Sequence, residues 1–139
     1  MNSIIQDVFS KVKGLFIWTS DADQFSGRFD DWRSYADQVE RGETIRDDCD
    51  AFSMTCAELL VRAGVDPNVI QLVACKTETG ENHLVCVADG WLMDNRQRTV
   101  WPWTQLDYKW ESSMKMSEPG VWRWKRRVES MINNAFTTI

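Results

Sequence analysis

The sequence predicts an α+β domain in which one helix packs on a small antiparallel sheet, and three features predict it. The first is a capped helix. Asp47 or Asp48 opens a run that reaches Arg62 or Ala63, with Phe52, Cys56, Leu59, Leu60 and Ala63 as its apolar stripe. Gly64 just past the end and Pro67 soon after are helix-stop signals. The second is a pair of β-leaning runs, 69–76 and 82–88, separated by a turn over 77–81. The third is Asp89-Gly90, a two-residue loop of the hairpin type, leading into Trp91-Leu92-Met93-Asp94. Three antiparallel strands follow.

Around this nucleus the remaining segments fall into order. Ile4, Val8, Val12 and Phe16 recur at helical spacing, so 4–18 reads as an amphipathic helix packed on the core. Residues 19–31 are polar and read as a loop, and 32–41 as a short helix ending at Gly42. After the hairpin come Trp101, Trp103, Trp110, Trp122 and Trp124, which are expected to pack in the core and its rim rather than line a groove. The tail, 121–136, carries Trp124, Val128, Met131, Ile132 and Ala135 at near-helical spacing and is expected to be a closing helix. Its basic run over 123–127 is read as a solvated face.

Composition narrows the possibilities. At 139 residues and 43% apolar content the chain can close one core, so 1–139 reads as a single domain. A net charge of −5 and a pI near 4.9 argue against a nucleic-acid partner held by phosphate neutralisation. No apolar stretch is long enough for membrane insertion, and the first residues lack the marks of a signal peptide, so the expected localisation is cytoplasmic at synthesis. The four cysteines, 49, 56, 75 and 86, form no Cys-x-x-Cys pair, and a single histidine does not complete a zinc site. Most of them are expected to be ordinary buried thiols.

Cys49 is the exception. It lies in the first turn of the capped helix, where the partial positive charge of the helix terminus favours a thiolate and the free N–H groups suit an oxyanion hole. With Asp89 and Gly90 as loop residues, Ala88 faces Trp91, Val85 faces Asp94 and His83 faces Arg96. Asp94 then becomes the same-face diagonal neighbour of His83, at a backbone separation of about 7–8 Å. Asn95 falls on the opposite face unless a bulge intervenes. A helix-terminal cysteine, a strand histidine and a same-face aspartate are the parts of a Cys-His-Asp triad: nucleophile, general base and orienter.

The stretches Asp31-Trp32, Asp48-Cys49-Asp50-Ala51-Phe52, Leu59-Leu60-Val61-Arg62-Ala63-Gly64-Val65, Asn82-His83-Leu84-Val85 and Gly90-Trp91-Leu92-Met93-Asp94-Asn95 resemble the bacterial transglutaminase-like cysteine proteinases over 31–97, about half the chain. The resemblance implies a papain-like or transglutaminase-like fold, and a thiol-dependent hydrolase that cleaves a peptide or isopeptide bond in a protein or peptide substrate through a thioester. Carried over residue by residue, Cys49 is the nucleophile, His83 the base and Asp94 the orienter. The acids beside the nucleophile disfavour a thiolate unless a cation offsets them. By analogy with calcium-binding members, Asp48 and Asp50 are candidate Ca²⁺ ligands, although a role for Asp47, Asp48 and Asp50 as helix-capping and first-turn acids is slightly favoured, since two carboxylates are few against the roughly six to eight oxygens calcium takes. Two other readings use the same residues: a non-catalytic binding or inhibitory module, and an amide-transferring transglutaminase.

Overall fold

The structure, a computed structural model, describes residues 3–19, 34–118 and 121–125, with the backbone alone at 116–118 and 121–125. In chain order these form α1 (Ser3–Leu15), β1 (Phe16–Trp18), α2 (Ala36–Glu40), β2 (Ile45–Asp47) and α3 (Cys49–Arg62). A 3-10 turn (Pro67–Val69) then leads to β3 (Ile70–Lys76), β4 (Asn82–Ala88), β5 (Trp91–Met93) and β6 (Trp101–Pro102). A second 3-10 turn (Trp103–Gln105) precedes β7 (Lys109–Glu118) and β8 (Val121–Lys125). The three expected strands are the middle of a six-stranded antiparallel sheet ordered β6-β5-β4-β3-β7-β8, and β1 and β2 form a separate parallel pair.

Helix α3 forms where its sequence signals place it. Asp48 caps it, accepting from the N–H groups of Asp50 and Ala51. At the other end Gly64, at φ 93°, donates to the carbonyl of Val61, and Val65 donates to that of Leu60. That pair of bonds closes a Schellman motif, which needs a left-handed residue where glycine stands. The inner face of α3 buries Phe52, Cys56 and Leu60 against Ile5, Phe9 and Val12 of α1 and against Leu72, Leu84 and Cys86 of the sheet. Phe52 meets Phe9 and Phe16 edge-on, with ring centroids 5.8 Å and 5.0 Å apart. Ser53 Oγ donates to the carbonyl of Leu84 at 3.0 Å, which pins the first half of α3 to β4. The opposite sheet face buries Val73, Val85, Val87 and Leu92 beneath Tyr108, Trp103, Leu106 and Trp110.

Three expected helices are corrected. The helix over 4–18 stops at Leu15, because the β-favouring residues Phe16, Ile17 and Trp18 pair instead with Ile45, Arg46 and Asp47. The helix over 32–41 begins only at Ala36: Tyr35 is at φ −110°, and its N–H is taken by Thr55 Oγ1 at 2.9 Å, while 32–33 lie outside the described residues. The tail helix over 121–136 starts as strand β8, paired with β7, and 126–136 lie outside the described residues. Among the described residues no helix is long and apolar enough to cross a membrane.

Candidate active site

The β4–β5 hairpin carries the first half of the site. Asp89 at φ 50° and Gly90 at φ 81° make the two-residue turn, and Ala88, Val87 and Cys86 pair with Trp91, Leu92 and Met93, the register expected of an Asp-Gly loop. The ladder then ends. Val85 does not pair with Asp94, nor His83 with Arg96, because the chain leaves the sheet at Asp94 and turns, with the Gln97 N–H donating to the Asp94 carbonyl at 2.9 Å. Lys13 of α1 holds this turn by donating to the Asn95 carbonyl.

His83 Nε2 and Asp94 Oδ1 are nonetheless 2.7 Å apart, with side-chain exposures of 6% and 0%. The Asp94 carboxylate also accepts from the Arg96 N–H at 3.0 Å and, through Oδ2, from the Tyr108 hydroxyl at 2.6 Å. Burial alone would raise the pKa of Asp94, but the hydrogen bond and charge of His83, with Tyr108 and Arg96, outweigh it and hold the group below the ordinary carboxylate range. An ionised carboxylate only accepts, so the shared proton sits on His83 Nε2, and Nδ1 is left as the basic nitrogen.

Cys49 opens α3 across the site. A cavity of about 490 Å³ is lined by Trp18, Asp48, Cys49, Thr77, Glu81, Asn82, His83, Asn95 and Arg96, so the thiol and the imidazole face one space. The Leu84 N–H, one residue beyond His83, favours the sulfur, yet the thiol is pushed well above its ordinary range by burial first and by Asp50 next. It donates to Asp50 Oδ1 at 3.6 Å. Thus the thiolate-favouring pull of the helix terminus is outweighed at this position. Cys56, Cys75 and Cys86 are likewise buried and unpaired by disulfide.

Asp50, pushed up to about 7 by burial and by Asp48, and Asp48, raised by burial and by Asp47, crowd one another beside the sulfur. Such crowding favours a bound cation. The donors fall short of a calcium shell, however: among the described residues no three acidic, histidine or cysteine side chains are arranged to hold a metal ion, and Asp48 Oδ1 is already spent on the helix cap. Two carboxylates supply a fraction of the roughly six to eight oxygens calcium takes.

Three contributors escaped the sequence reading. Asn95, expected on the far face, lines the cavity because strand alternation stops at Met93, and its Oδ1 is buried without a hydrogen-bond partner among the described residues. Tyr108 and Trp18 come from segments carrying no motif; Trp18, 57% exposed, forms one lip. Only the general tendency of buried carboxylates to recruit donors hints at a residue like Tyr108.

No curated protein sequence matches the chain significantly. Among solved structures, LapG of Legionella pneumophila shares its fold. The calcium-bound form aligns at 20% identity and a TM-score of 0.57, covering 77% of this chain and 63% of LapG. The EGTA-treated form aligns at 18% and 0.64, covering 88% and 70%, and a further LapG structure at 19% and 0.62, covering 94% and 74%. Thus the chain spans about two thirds of LapG's length, and at these identities the likeness is one of fold, the transglutaminase-like arrangement. Residues 3–129 match the family profile of the bacterial transglutaminase-like cysteine proteinases, and the chain belongs to that family.

Proposed function

We propose that the chain hydrolyses a peptide or isopeptide bond through a thioester on Cys49, with His83 as general base and Asp94 as its orienter. The observation that carries this reading is the buried 2.7 Å contact between His83 Nε2 and Asp94, in the wall of the cavity that Cys49 also lines. Nδ1 takes the thiol proton, and the thiolate attacks the substrate carbonyl carbon. The Cys49 N–H, which the Asp48 cap leaves unused, is the donor proposed to stabilise the oxyanion. As the tetrahedral species collapses, the C–N bond breaks and the imidazolium returns its proton to the departing amine. Water then adds to the thioester while Nδ1 accepts its proton, the C–S bond breaks, and the carboxylic acid leaves with the thiol restored. An amine in place of water would make the same residues a transglutaminase.

By analogy with calcium-bound LapG, calcium is the cation proposed to be drawn to Asp48 and Asp50. One experiment tests both parts: the rate of iodoacetamide labelling at each cysteine, read by mass spectrometry, in EGTA and in calcium. Labelling is expected to concentrate on Cys49 and to fall at least tenfold in His83→Ala, since an activated thiol reacts as its thiolate. Calcium is expected to speed Cys49 labelling in the native chain and not in Asp50→Asn. Four equally slow cysteines that ignore His83→Ala would overturn the catalytic reading, and a calcium response preserved in Asp50→Asn would remove Asp50 from the cation site.

A further inference from the structure

The Asp94 carboxylate is held from more directions than orienting His83 alone requires. Oδ1 serves His83 Nε2, while Oδ2 takes the Tyr108 hydroxyl at 2.6 Å, the shorter of the two side-chain bonds. Tyr108 is 8% exposed and precedes β7, so it reaches Asp94 from an element outside the hairpin. Its ring stands edge-on to the His83 imidazole, with centroids 5.9 Å apart at 86°. On the other side it meets Trp110 at 5.7 Å, which in turn packs on Trp103 at 5.8 Å. Ring and hydroxyl are therefore both fixed.

The hydroxyl is also oriented. Arg96 Nη1 donates to it at 2.9 Å and Gln97 Nε2 at 3.4 Å, so its lone pairs are used and its own proton is directed to Asp94. Arg96 is anchored in turn by Glu78, through contacts of 2.6 Å and 3.2 Å. Glu78 lies in the turn that precedes His83. A chain of contacts thus runs from Glu78 through Arg96 and Tyr108 to Asp94 and His83, and it begins and ends on the β3–β4 hairpin.

We infer that Tyr108 is a positioning residue for the imidazole: it fixes the plane of the Asp94 carboxylate so that Oδ1 addresses His83 Nε2, and Arg96 holds the hydroxyl in donating register. The inference rests on the catalytic reading of Cys49, His83 and Asp94. A carboxylate released at Oδ2 can rotate about its side-chain torsion, which is broad for this residue type. The imidazole then loses both its fixed orientation and its single tautomer. Burial and the bond to Asp94 keep the Tyr108 phenol protonated, as a donor must be.

Because His83 is the chain's single histidine, its ring nitrogens are identifiable by ¹⁵N NMR without assignment. Tyr108→Phe is expected to slow Cys49 alkylation about tenfold, the order of one hydrogen bond to a charged group. It should also convert a ring spectrum of one Nε2–H tautomer into a mixture. Arg96→Gln, a substitution at a solvent-exposed residue, should move both readouts the same way by a smaller factor, and it decides the matter if Tyr108→Phe fails to fold. A Tyr108→Phe chain that loses thermal stability while keeping native alkylation and a single tautomer would reduce Tyr108 to a packing residue. His83→Ala runs alongside. If it slows alkylation and the Tyr108 and Arg96 variants do not, the positioning role alone falls; if it leaves alkylation unchanged, the catalytic reading falls and this inference with it.

Discussion

Cys49 stands where electrostatic effects of opposite sign meet. The N-terminus of α3 offers partial positive charge, an effect of about 0.3–1 kcal/mol at an exposed site. Burial and the neighbouring Asp50 outweigh it and push the thiol above its ordinary range. Asp50 is displaced as well, to about 7, against about 3.9 for an unfolded aspartate. The folded chain therefore binds this proton more tightly than the unfolded one. The stability it contributes is fully present below about pH 4 and is lost as the pH rises through about 7. Asp50→Asn should accordingly gain about 1–2 kcal/mol over the native chain at pH 8 and close to nothing at pH 4, measured by urea denaturation. An equal difference at both pH values would show that Asp50 titrates as an ordinary surface acid. The acids flanking Cys49 were plain in the sequence, and so was their conflict with a thiolate. The winner was not legible, because the burial of a first-turn side chain depends on β4 lying across it.

Elements defined by local chemistry were legible, and those defined by partners were not. Asp48, Gly64 and the Asp89-Gly90 turn each act within a few residues, and α3 and β4 lie where those signals place them. Strand β7 buries Ser112, Ser113 and Met114, a set with no strand pattern of its own. It is a strand because β3 pairs with it, across a register shift between Ala74 and Cys75. Asp94 shows the same limit inside the site: the hairpin register pointed it at His83, but the contact forms after the ladder has ended, in a turn secured by Lys13 of α1 and by Tyr108. Asn95 was misplaced for that reason. The self-contained end of α3 permits a clean test. A Cβ at Gly64 would meet nothing within 4 Å, so Gly64→Ala tests the left-handed backbone alone. It should cost about 1–2 kcal/mol in urea denaturation while leaving Cys49 labelling unchanged, since the Schellman turn lies at the opposite end of the helix. A neutral effect on stability would mean that the turn relaxes to another conformation without loss.

Across the whole molecule, the site joins two packed layers, α3 on one face of the sheet and the Tyr108–Trp110 aromatic group on the other, and its carboxylates pull stability in opposite directions with pH. Asp94 is held below its ordinary range despite burial, chiefly by the His83 contact. A depressed group contributes stability that is fully present above its unfolded pKa of about 3.9 and is lost as the pH falls through the folded value. Asp50, raised to about 7, loses its contribution in the other direction, between about pH 4 and 7. The stability curve should therefore peak on the acid side of neutrality, near pH 4–6, a trend that a net charge of −5 at pH 7 reinforces through self-repulsion. Urea midpoints measured from pH 3 to 8 check this. Asp94→Asn should cost about 2–4 kcal/mol at pH 6, because it leaves His83, Tyr108 and Arg96 facing a weaker acceptor. That deficit should shrink toward pH 3, flattening the acid side, whereas Asp50→Asn flattens the alkaline side and spares the acid one. If Asp94→Asn shifted the curve by the same amount at every pH, the carboxylate would be contributing packing rather than charge, and the electrostatic account of the His83–Asp94–Tyr108 cluster would fail with it.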